Sequence, residues 1–150
     1  MYMTFGKHEG KTIELLMIKE PKYVHWILNQ PSPRGQLLDV KNHVMKLIKI
    51  FDAKPFIGKS CQGGMCDQPA TRFAVYRDNL SSTWWCDTCN PHQLGAIAGN
   101  LQMLNDYYHA LRHVRMYCRE RVSDYRDLLG VMAKAKGLAN KGEQAIQDFF

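Results

Sequence analysis

Four of the five cysteines in this 150-residue sequence form two closely spaced pairs. Cys61 and Cys66 make a C-x4-C pair, Cys86 and Cys89 make a C-x2-C pair, and 19 residues separate the two pairs. Each pair can present two thiolates from one turn, and the segment between them is long enough to form a hairpin and return. Tetrahedral Zn²⁺ takes such a set of four sulfur ligands. The spacing therefore predicts a zinc site.

A site with four protein ligands leaves no coordination position for water, so we expect the zinc to stabilise the fold and not to take part in a reaction. Gly63 and Gly64 lie inside the first pair, where glycine permits the positive φ that turns a backbone N–H toward sulfur. His92 follows Cys89 by three residues and is an alternative ligand. Two disulfides or four unrelated thiols are the competing interpretations.

Composition and charge narrow the class of protein. Hydrophobic residues make up 45% of the chain and aromatic residues 11%, which is typical of a globular protein. Charged residues interrupt the first twenty positions, and there is no run of eighteen apolar residues, so we expect neither a signal peptide nor a membrane span. These features predict a cytoplasmic protein in a reducing compartment, which favours thiolate–metal bonds over disulfides. The net charge of +6 favours a polyanionic partner, most commonly nucleic acid.

The order of sequence patterns predicts an α+β fold in three parts. We expect a hairpin–helix module over residues 1–52, a zinc ribbon over residues 53–92 and a helical region over residues 93–150. The boundary near residue 53 follows from the Ala-Lys-Pro sequence that separates a helical pattern from a strand-rich one.

The first part should contain two short strands and two helices. Residues 2–5 and 12–13 read as strands that flank a turn with two glycines. Pro21 is suited to the first position of a helix, because its missing N–H has no partner there in any case. A second helix is expected over residues 36–51, where apolar residues recur with helical spacing.

The central part should be a small antiparallel ribbon that carries the cysteines. Residues 72–77 alternate and are rich in strand-forming residues, and residues 82–86 lead into the second cysteine pair. Arg72 and Arg77 are candidate nucleic-acid contacts on the first strand. Alternation should place one of Trp84 and Trp85 outside, where it can stack bases, and we assign this role to Trp84. The alternative is that both rings form the small core of the ribbon.

The last part should be helical and basic. An apolar stripe between residues 101 and 122 predicts one helix of about thirty residues, followed by a helix that Ser123 caps and Gly137 ends, and by a short helix over residues 143–150. Arg112, Arg115 and Arg119 recur beside the stripe at i, i+3 and i+7, a spacing that can follow a phosphate backbone.

The alternative for these arginines is a solvated face whose charges pair with neighbouring acidic residues. The acids available for such pairing are Asp106, Glu120, Asp124 and Asp127. Because these acids are few and offset from the arginines, we favour a functional surface.

The N-terminal segment resembles a known small module. F-G-K-H-E-G-K, beginning at Phe5, and the later Y-V-H-W-I-L, beginning at Tyr23, are similar to the C-terminal module of exodeoxyribonuclease X-like proteins. The resemblance covers residues 3–30 and implies an accessory module of nucleic-acid enzymes without catalytic residues of its own. In this segment Lys7, His8 and Lys11 are candidate phosphate contacts. The alternative is that the glycines serve the turn and the lysines are solvated.

Together these features predict a zinc-stabilised, non-catalytic accessory protein that binds DNA or RNA. The competing function is a protein–protein adaptor subunit of a nucleoprotein complex, or a phage-type inhibitor, in which the arginines meet an acidic protein. A nuclease is a further alternative, but the carboxylates are scattered and the strand before the hairpin lacks the histidine that a zinc-supported nuclease needs.

Overall fold

The computed structural model describes residues 1–77, 80–89 and 101–150. Within these ranges the chain forms six α-helices and a three-stranded antiparallel sheet, which confirms the expected α+β class. The helices are α1 (Ile13–Lys19), α2 (Pro21–Leu28), α3 (Gln36–Ala53), α4 (Tyr107–Tyr117), α5 (Val122–Ala135) and α6 (Glu143–Phe149). The strands are β1 (Arg72–Tyr76), β2 (Ser82–Trp85) and β3 (Leu101–Met103).

The sheet has β1 at its centre, with β2 on one side and β3 on the other, both antiparallel to it. Phe73 lies opposite Trp84, and Ala74 lies opposite Met103. Because side chains alternate along a strand, Phe73 points to one face of the sheet and Ala74 to the other. The first face packs on the helices, and the second faces the cysteines.

The predicted N-terminal hairpin is wrong. Tyr2 and Thr12 make a single antiparallel bridge, and the chain between them contains a short 3₁₀ turn over Gly6–His8. The expected second strand is instead the start of α1, because the Thr12 hydroxyl accepts a hydrogen bond from Leu15 N (3.2 Å) and caps the helix. Six consecutive residues of α1 are buried, so the helix lacks the polar face that would identify it in the sequence.

Two predicted helices are present where the sequence placed them. α2 begins at Pro21 and α3 at Gln36. Val40 and Val44 are buried on one side of α3, while Lys46 is exposed on the other. α3 has 18 residues, and no helix in the described ranges is both long enough and apolar enough to cross a membrane.

The single helix of about thirty residues that was expected to carry the apolar stripe over residues 101–122 is wrong in its first part. Leu101–Met103 forms β3, and α4 begins only after Asp106. The Asp106 carboxylate accepts a hydrogen bond from His109 N (2.8 Å) and so caps the new helix. Asp52 of α3 adds a second carboxylate, which accepts from Tyr107 N (2.9 Å) and fixes α4 beside α3.

The same helix is also interrupted before residue 122. α4 ends at Tyr117, and Glu120 has a φ of +53°, a left-handed conformation that a continuous helix does not contain. α5 begins at Val122, so Ser123 lies in its first turn and does not cap it. The expected end of this helix at Gly137 and the final short helix are both present.

The helices enclose one apolar core, to which residues from all three predicted parts contribute. Leu16 of α1, Leu47 of α3, Phe73 of β1 and Leu129 of α5 are buried in this same cluster. The predicted boundary between residues 92 and 93 lies outside the described residues, and the division into three modules stays a prediction.

Candidate metal centre and nucleic-acid interface

The fold brings the two cysteine pairs together. Cys61 and Cys66 lie in the segment between α3 and β1, and Cys86 and Cys89 follow β2. The four Sγ atoms all lie within 4.8 Å of one another, and Cys66 Sγ is 3.9 Å from Cys86 Sγ. Sulfurs that bind one ion tetrahedrally at about 2.3 Å are about 3.8 Å apart, so this spacing fits a four-thiolate metal site. All five cysteines are free within the described residues.

Backbone N–H groups donate to two of the four sulfurs. The backbone N–H of Gly63 donates to Cys61 Sγ (3.3 Å), and that of Cys89 donates to Cys86 Sγ (3.4 Å). The Thr88 hydroxyl, aided by backbone N–H groups, lowers the pKa of Cys86 to about 6. The neighbouring sulfurs, Cys86 first among them, raise the pKa of Cys89 to about 12. Four sulfurs this close cannot all be anionic unless a cation lies among them.

Gly63 is needed for close packing in the first cysteine turn, and not for the positive φ that was predicted there. It is Met65, and not a glycine of this turn, that has a positive φ, of 58°. A Cβ at Gly63 would lie 2.7 Å from Cys89 Sγ, whereas a Cβ at Gly64 would meet nothing within 4 Å. Only Gly63 is therefore required, because the two cysteine-bearing turns meet at its Cα. His92, the alternative ligand, lies outside the described residues.

Arg72 makes hydrogen bonds to the backbone of the turn that carries Cys86 and Cys89. Its guanidinium donates to the carbonyl oxygens of Cys86 (2.8 and 3.1 Å), Asp87 (2.7 Å) and Cys89 (3.1 Å). These bonds occupy Nε and Nη2 of a half-buried side chain and fix the carbonyls of the turn that carries two ligands. Arg72 therefore has a structural role beside the cysteines, and its contact with nucleic acid stays a prediction.

Both tryptophans of β2 are buried, so the expectation that one ring is available for stacking is wrong. Trp84 is 7% exposed and packs on Phe73, with ring centroids 4.7 Å apart. Trp85 is 6% exposed and belongs to the cluster that contains Cys61 and Cys86. Alternation does place the two rings on opposite faces, but each face is covered. Trp84 is therefore a core residue and not a nucleic-acid contact.

Arg77 is engaged in a contact with α4. Its guanidinium carbon lies 4.4 Å from the centroid of the Tyr117 ring, a cation–π geometry. Turned so that its oxygen faces Arg77, the Gln102 amide accepts hydrogen bonds from Nε (2.9 Å) and Nη2 (2.7 Å). These contacts join β3 and α4 through Arg77, and its predicted contact with nucleic acid stays a prediction.

The three candidate contacts in the N-terminal turn separate into two groups. Lys7 and Lys11 are exposed, while His8 is 5% exposed, with its ring edge-on to Tyr23 at a centroid distance of 4.5 Å. Neither ring nitrogen of His8 has a hydrogen-bond partner among the described residues. Burial lowers the pKa of His8, so it is a neutral packing residue. The prediction that His8 contacts a phosphate is wrong.

The three arginines of the predicted row are exposed but do not share a helix. Arg112 and Arg115 lie on α4, and Arg119 lies in the connection that follows it. In the described ranges none of the three forms an ion pair, and three of the four neighbouring acids contact other groups. These contacts are Asp106 with His109 (3.3 Å), Asp124 with Arg121 (3.1 Å) and Glu120 with the Tyr125 hydroxyl (3.3 Å).

The sequence prediction missed an exposed tryptophan on α2 that stacks on a half-buried tyrosine. Trp26 is 46% exposed, and its ring stacks on Tyr23 at a centroid distance of 5.3 Å and an interplanar angle of 22°. These rings line a cleft of about 330 Å³, which we call the Trp26 cleft, together with Lys7, Glu20, Lys22 and Val122. A signal was present in the sequence, since Trp26 is two positions from the buried Val24 and so lies on the opposite side of the helix.

A scan against models of known protein families, a search of curated proteins and a search of solved structures each found no match to this chain. The resemblance of residues 3–30 to the exodeoxyribonuclease X-like module therefore stays a prediction. The assignment of the metal site and of the nucleic-acid surface therefore depends on the geometry of this chain alone.

Proposed function

We propose that the protein is a non-catalytic nucleic-acid-binding accessory protein in which the four cysteines hold one structural Zn²⁺. Four thiolates at tetrahedral spacing are the ligand set that zinc takes in structural sites. Arg72 and the N–H groups of Gly63 and Cys89 supply the outer contacts that orient such ligands. With four protein ligands, the metal stabilises the fold and has no position for a substrate.

The exposed arginines are the observation that carries the proposed binding function. Arg112, Arg115 and Arg119 project from α4 and its connection without acidic partners in the described part of the chain. An arginine whose charge is not neutralised within the protein is available to a phosphate and releases condensed counterions when it binds. The net charge of +6 acts in the same direction.

Lys7 and Lys11 are proposed as auxiliary contacts. Both are exposed at the N-terminal turn, and Lys7 Nζ lies 5.5 Å from the centroid of the Tyr23 ring. Because exposed turn charges contribute little to folding, changing both lysines to Glu should weaken nucleic-acid binding without lowering the melting temperature. A large fall in melting temperature would show instead that they hold the turn to α2.

The test is binding of the zinc-loaded protein to short single- and double-stranded DNA and RNA over a range of salt concentrations. Replacing Arg112, Arg115 and Arg119 with Ala should weaken binding and lower the slope of log K against log salt by up to about three. A charge-matched control replaces three exposed lysines elsewhere with Ala: Lys46, Lys49 and Lys134. This control should change the slope less than the arginine variant does. Absence of binding by the unaltered protein at low salt would contradict the proposal.

A protein–protein adaptor is the second candidate function, and exposed apolar side chains favour it. Met116 is 54% exposed and accepts a hydrogen bond from Arg112 Nε at 3.4 Å, and Tyr108 on the same helix is 45% exposed. Apolar and basic side chains side by side suit an acidic protein surface as well as a phosphate backbone. This function would replace the first one if the arginine variant kept its nucleic-acid binding but lost association with a purified protein partner.

A further inference from the structure

The Trp26 cleft is built from side chains that the proposed arginine surface does not use. The Tyr23 ring is held on several sides: by the His8 ring at 4.5 Å, by Trp26 at 5.3 Å and by Lys7 Nζ at 5.5 Å, each measured to the ring centroid. Among the described residues, Tyr23 is the one ring that Trp26 contacts. Tyr23 therefore orients Trp26, and 46% of the surface of Trp26 is left to solvent.

The charges at this cleft are arranged around the aromatic pair. Lys22 Nζ donates to the carbonyl oxygen of Glu120 (2.8 Å), which joins α2 to the connection that carries Arg119. An ammonium group has three donors, so this bond leaves Lys22 two for a ligand. Glu20 is the one carboxylate among the described lining residues, and its Oε1 lies 3.9 Å from Arg126 Nη2.

This combination distinguishes between classes of ligand. An exposed indole supported by a second ring offers a flat π surface, on which a nucleobase of any sequence can stack. Lys7 and Lys22 supply positive charge for the phosphates on either side of that base. An acidic peptide would satisfy the lysines but would leave the flat surface without a planar partner, and a base inside a duplex has no free face to offer.

We propose that the Trp26 cleft binds an unpaired base of a single-stranded nucleic acid, with Trp26 as the stacking surface and with Lys7 and Lys22 beside the flanking phosphates. The inference rests on the proposed nucleic-acid binding and specifies the form of nucleic acid that is recognised. It also assigns Trp26 and Lys22 a role that the sequence pattern did not indicate.

The test compares Trp26→Ala with Met45→Ala in the full-length, zinc-loaded protein. Met45 is a matched control, because it is 48% exposed on the surface of α3. The probes are a 12-nucleotide single strand of mixed sequence, as DNA and as RNA, and the blunt DNA duplex of the same sequence. Trp26→Ala should lower single-strand affinity about tenfold to hundredfold and leave duplex affinity nearly unchanged. Met45→Ala should leave both affinities unchanged.

Intrinsic fluorescence gives an independent readout. Trp84 and Trp85 are buried, so iodide should quench mainly Trp26, and a bound single strand should protect that emission. Trp26→Phe keeps an aromatic face and should retain part of the single-strand affinity, which also separates lost stacking from lost folding.

The outcomes separate this inference from the proposed function. Unchanged single-strand affinity of Trp26→Ala, combined with weaker binding of the arginine variant, would overturn the stacking role and leave the proposed function standing. Equal losses for single strand and duplex would also overturn it, because stacking requires an unpaired base. Failure of the unaltered protein to bind any of the probes would overturn both.

Discussion

The helical body and the outer face of the sheet are stabilised by different means. In the described ranges the cluster that fills the helical body contains thirty buried apolar residues. The cluster on the outer face of the sheet contains five, and two of these are Cys61 and Cys86. Burial contributes roughly 25 cal/mol per Å² of apolar surface, so a cluster of five residues supplies little stability by itself. We therefore expect the stability of the outer face to depend on the metal that we propose for these sulfurs.

The two regions are nevertheless joined through one strand. Phe73 and Val75 of β1 belong to the core of the helical body, while Ala74 between them belongs to the cysteine cluster. One face of the sheet should therefore persist without metal, and the other should not. If the cysteines bind the proposed zinc, we therefore expect the dependence on metal to be confined to one face of this sheet.

The largest expected effect comes from removing one ligand. In zinc-finger peptides, structural zinc contributes about 10–16 kcal/mol, which is as large as the whole stability of a typical domain. Cys86→Ser should release the metal and abolish hydrogen-exchange protection in the cysteine turns and β2, while α1 and α3 stay protected. Cys118→Ser is the control, because Cys118 lies outside the cluster. A Cys86→Ser protein that retains its zinc would contradict the proposal that the outer face depends on a metal bound by Cys86.

A smaller loss should follow from Arg72→Ala. The guanidinium bonds three carbonyl groups of the second cysteine turn, and hydrogen bonds from a charged donor contribute about 1.5–3 kcal/mol each at most sites. Because the side chain is half-buried, we expect the free energy of unfolding to fall by about 3 kcal/mol in urea denaturation. Arg72→Lys should not restore it, since an ammonium cannot reproduce the planar fork. A change below about 0.5 kcal/mol, as expected for the exposed Arg112→Ala, would contradict the role given to Arg72.

Substitution of the two adjacent glycines separates the metal site from the rest of its turn. Gly63→Ala would place a methyl group against Cys89 Sγ, whereas Gly64→Ala would place one in open space. We expect Gly63→Ala to lower zinc affinity roughly 10- to 100-fold in competition with a chelator, the range seen when groups around metal ligands are altered. Gly64→Ala should bind zinc as the unaltered protein does. Equal affinities for both variants would show that the two turns do not meet at Gly63.

The smallest expected effect concerns the helical body and its dependence on pH. Burial lowers the pKa of His8, with Lys11 and Lys7 acting in the same direction and Glu20 against it. Because the unfolded chain then binds more protons than the folded one, this stability is complete above the ordinary histidine pKa of about 6.5 and is lost as pH falls through the folded value. Urea denaturation at pH 7.5 and 5.5 should show a smaller decrease for His8→Leu than for the unaltered protein. An equal or larger decrease would show that His8 is not buried as a neutral group.

Parts of the fold followed from local sequence patterns. α2 and α3 were predictable because Pro21 marks a helix start and because Val40 and Val44 repeat at helical spacing. The cysteine spacing likewise predicted which four sulfurs meet, because each pair lies in one turn and the segment between the pairs forms a hairpin that returns. These predictions succeeded because each depended on a pattern within one short segment of the sequence.

The errors came from contacts between distant residues. β3 was taken for a helix because Leu101 and Leu104 are spaced i and i+3, but pairing with β1 determines its conformation. Trp84 was expected outside because alternation gives the face of a strand but not what covers that face. Arg72 reaches carbonyl groups 14 to 17 residues away along the chain, which no local pattern encodes.

The most direct test of the metal-dependent face is X-ray absorption at the zinc edge, combined with elemental analysis of the purified protein. We predict one zinc per chain, bound by four sulfur ligands at about 2.3 Å. Removal of that zinc by a chelator should expose the cysteine turns to hydrogen exchange while α1 and α3 stay protected. Cysteine turns that stay protected without metal, a disulfide among Cys61, Cys66, Cys86 and Cys89, or a zinc shell with fewer than four sulfurs would contradict this prediction.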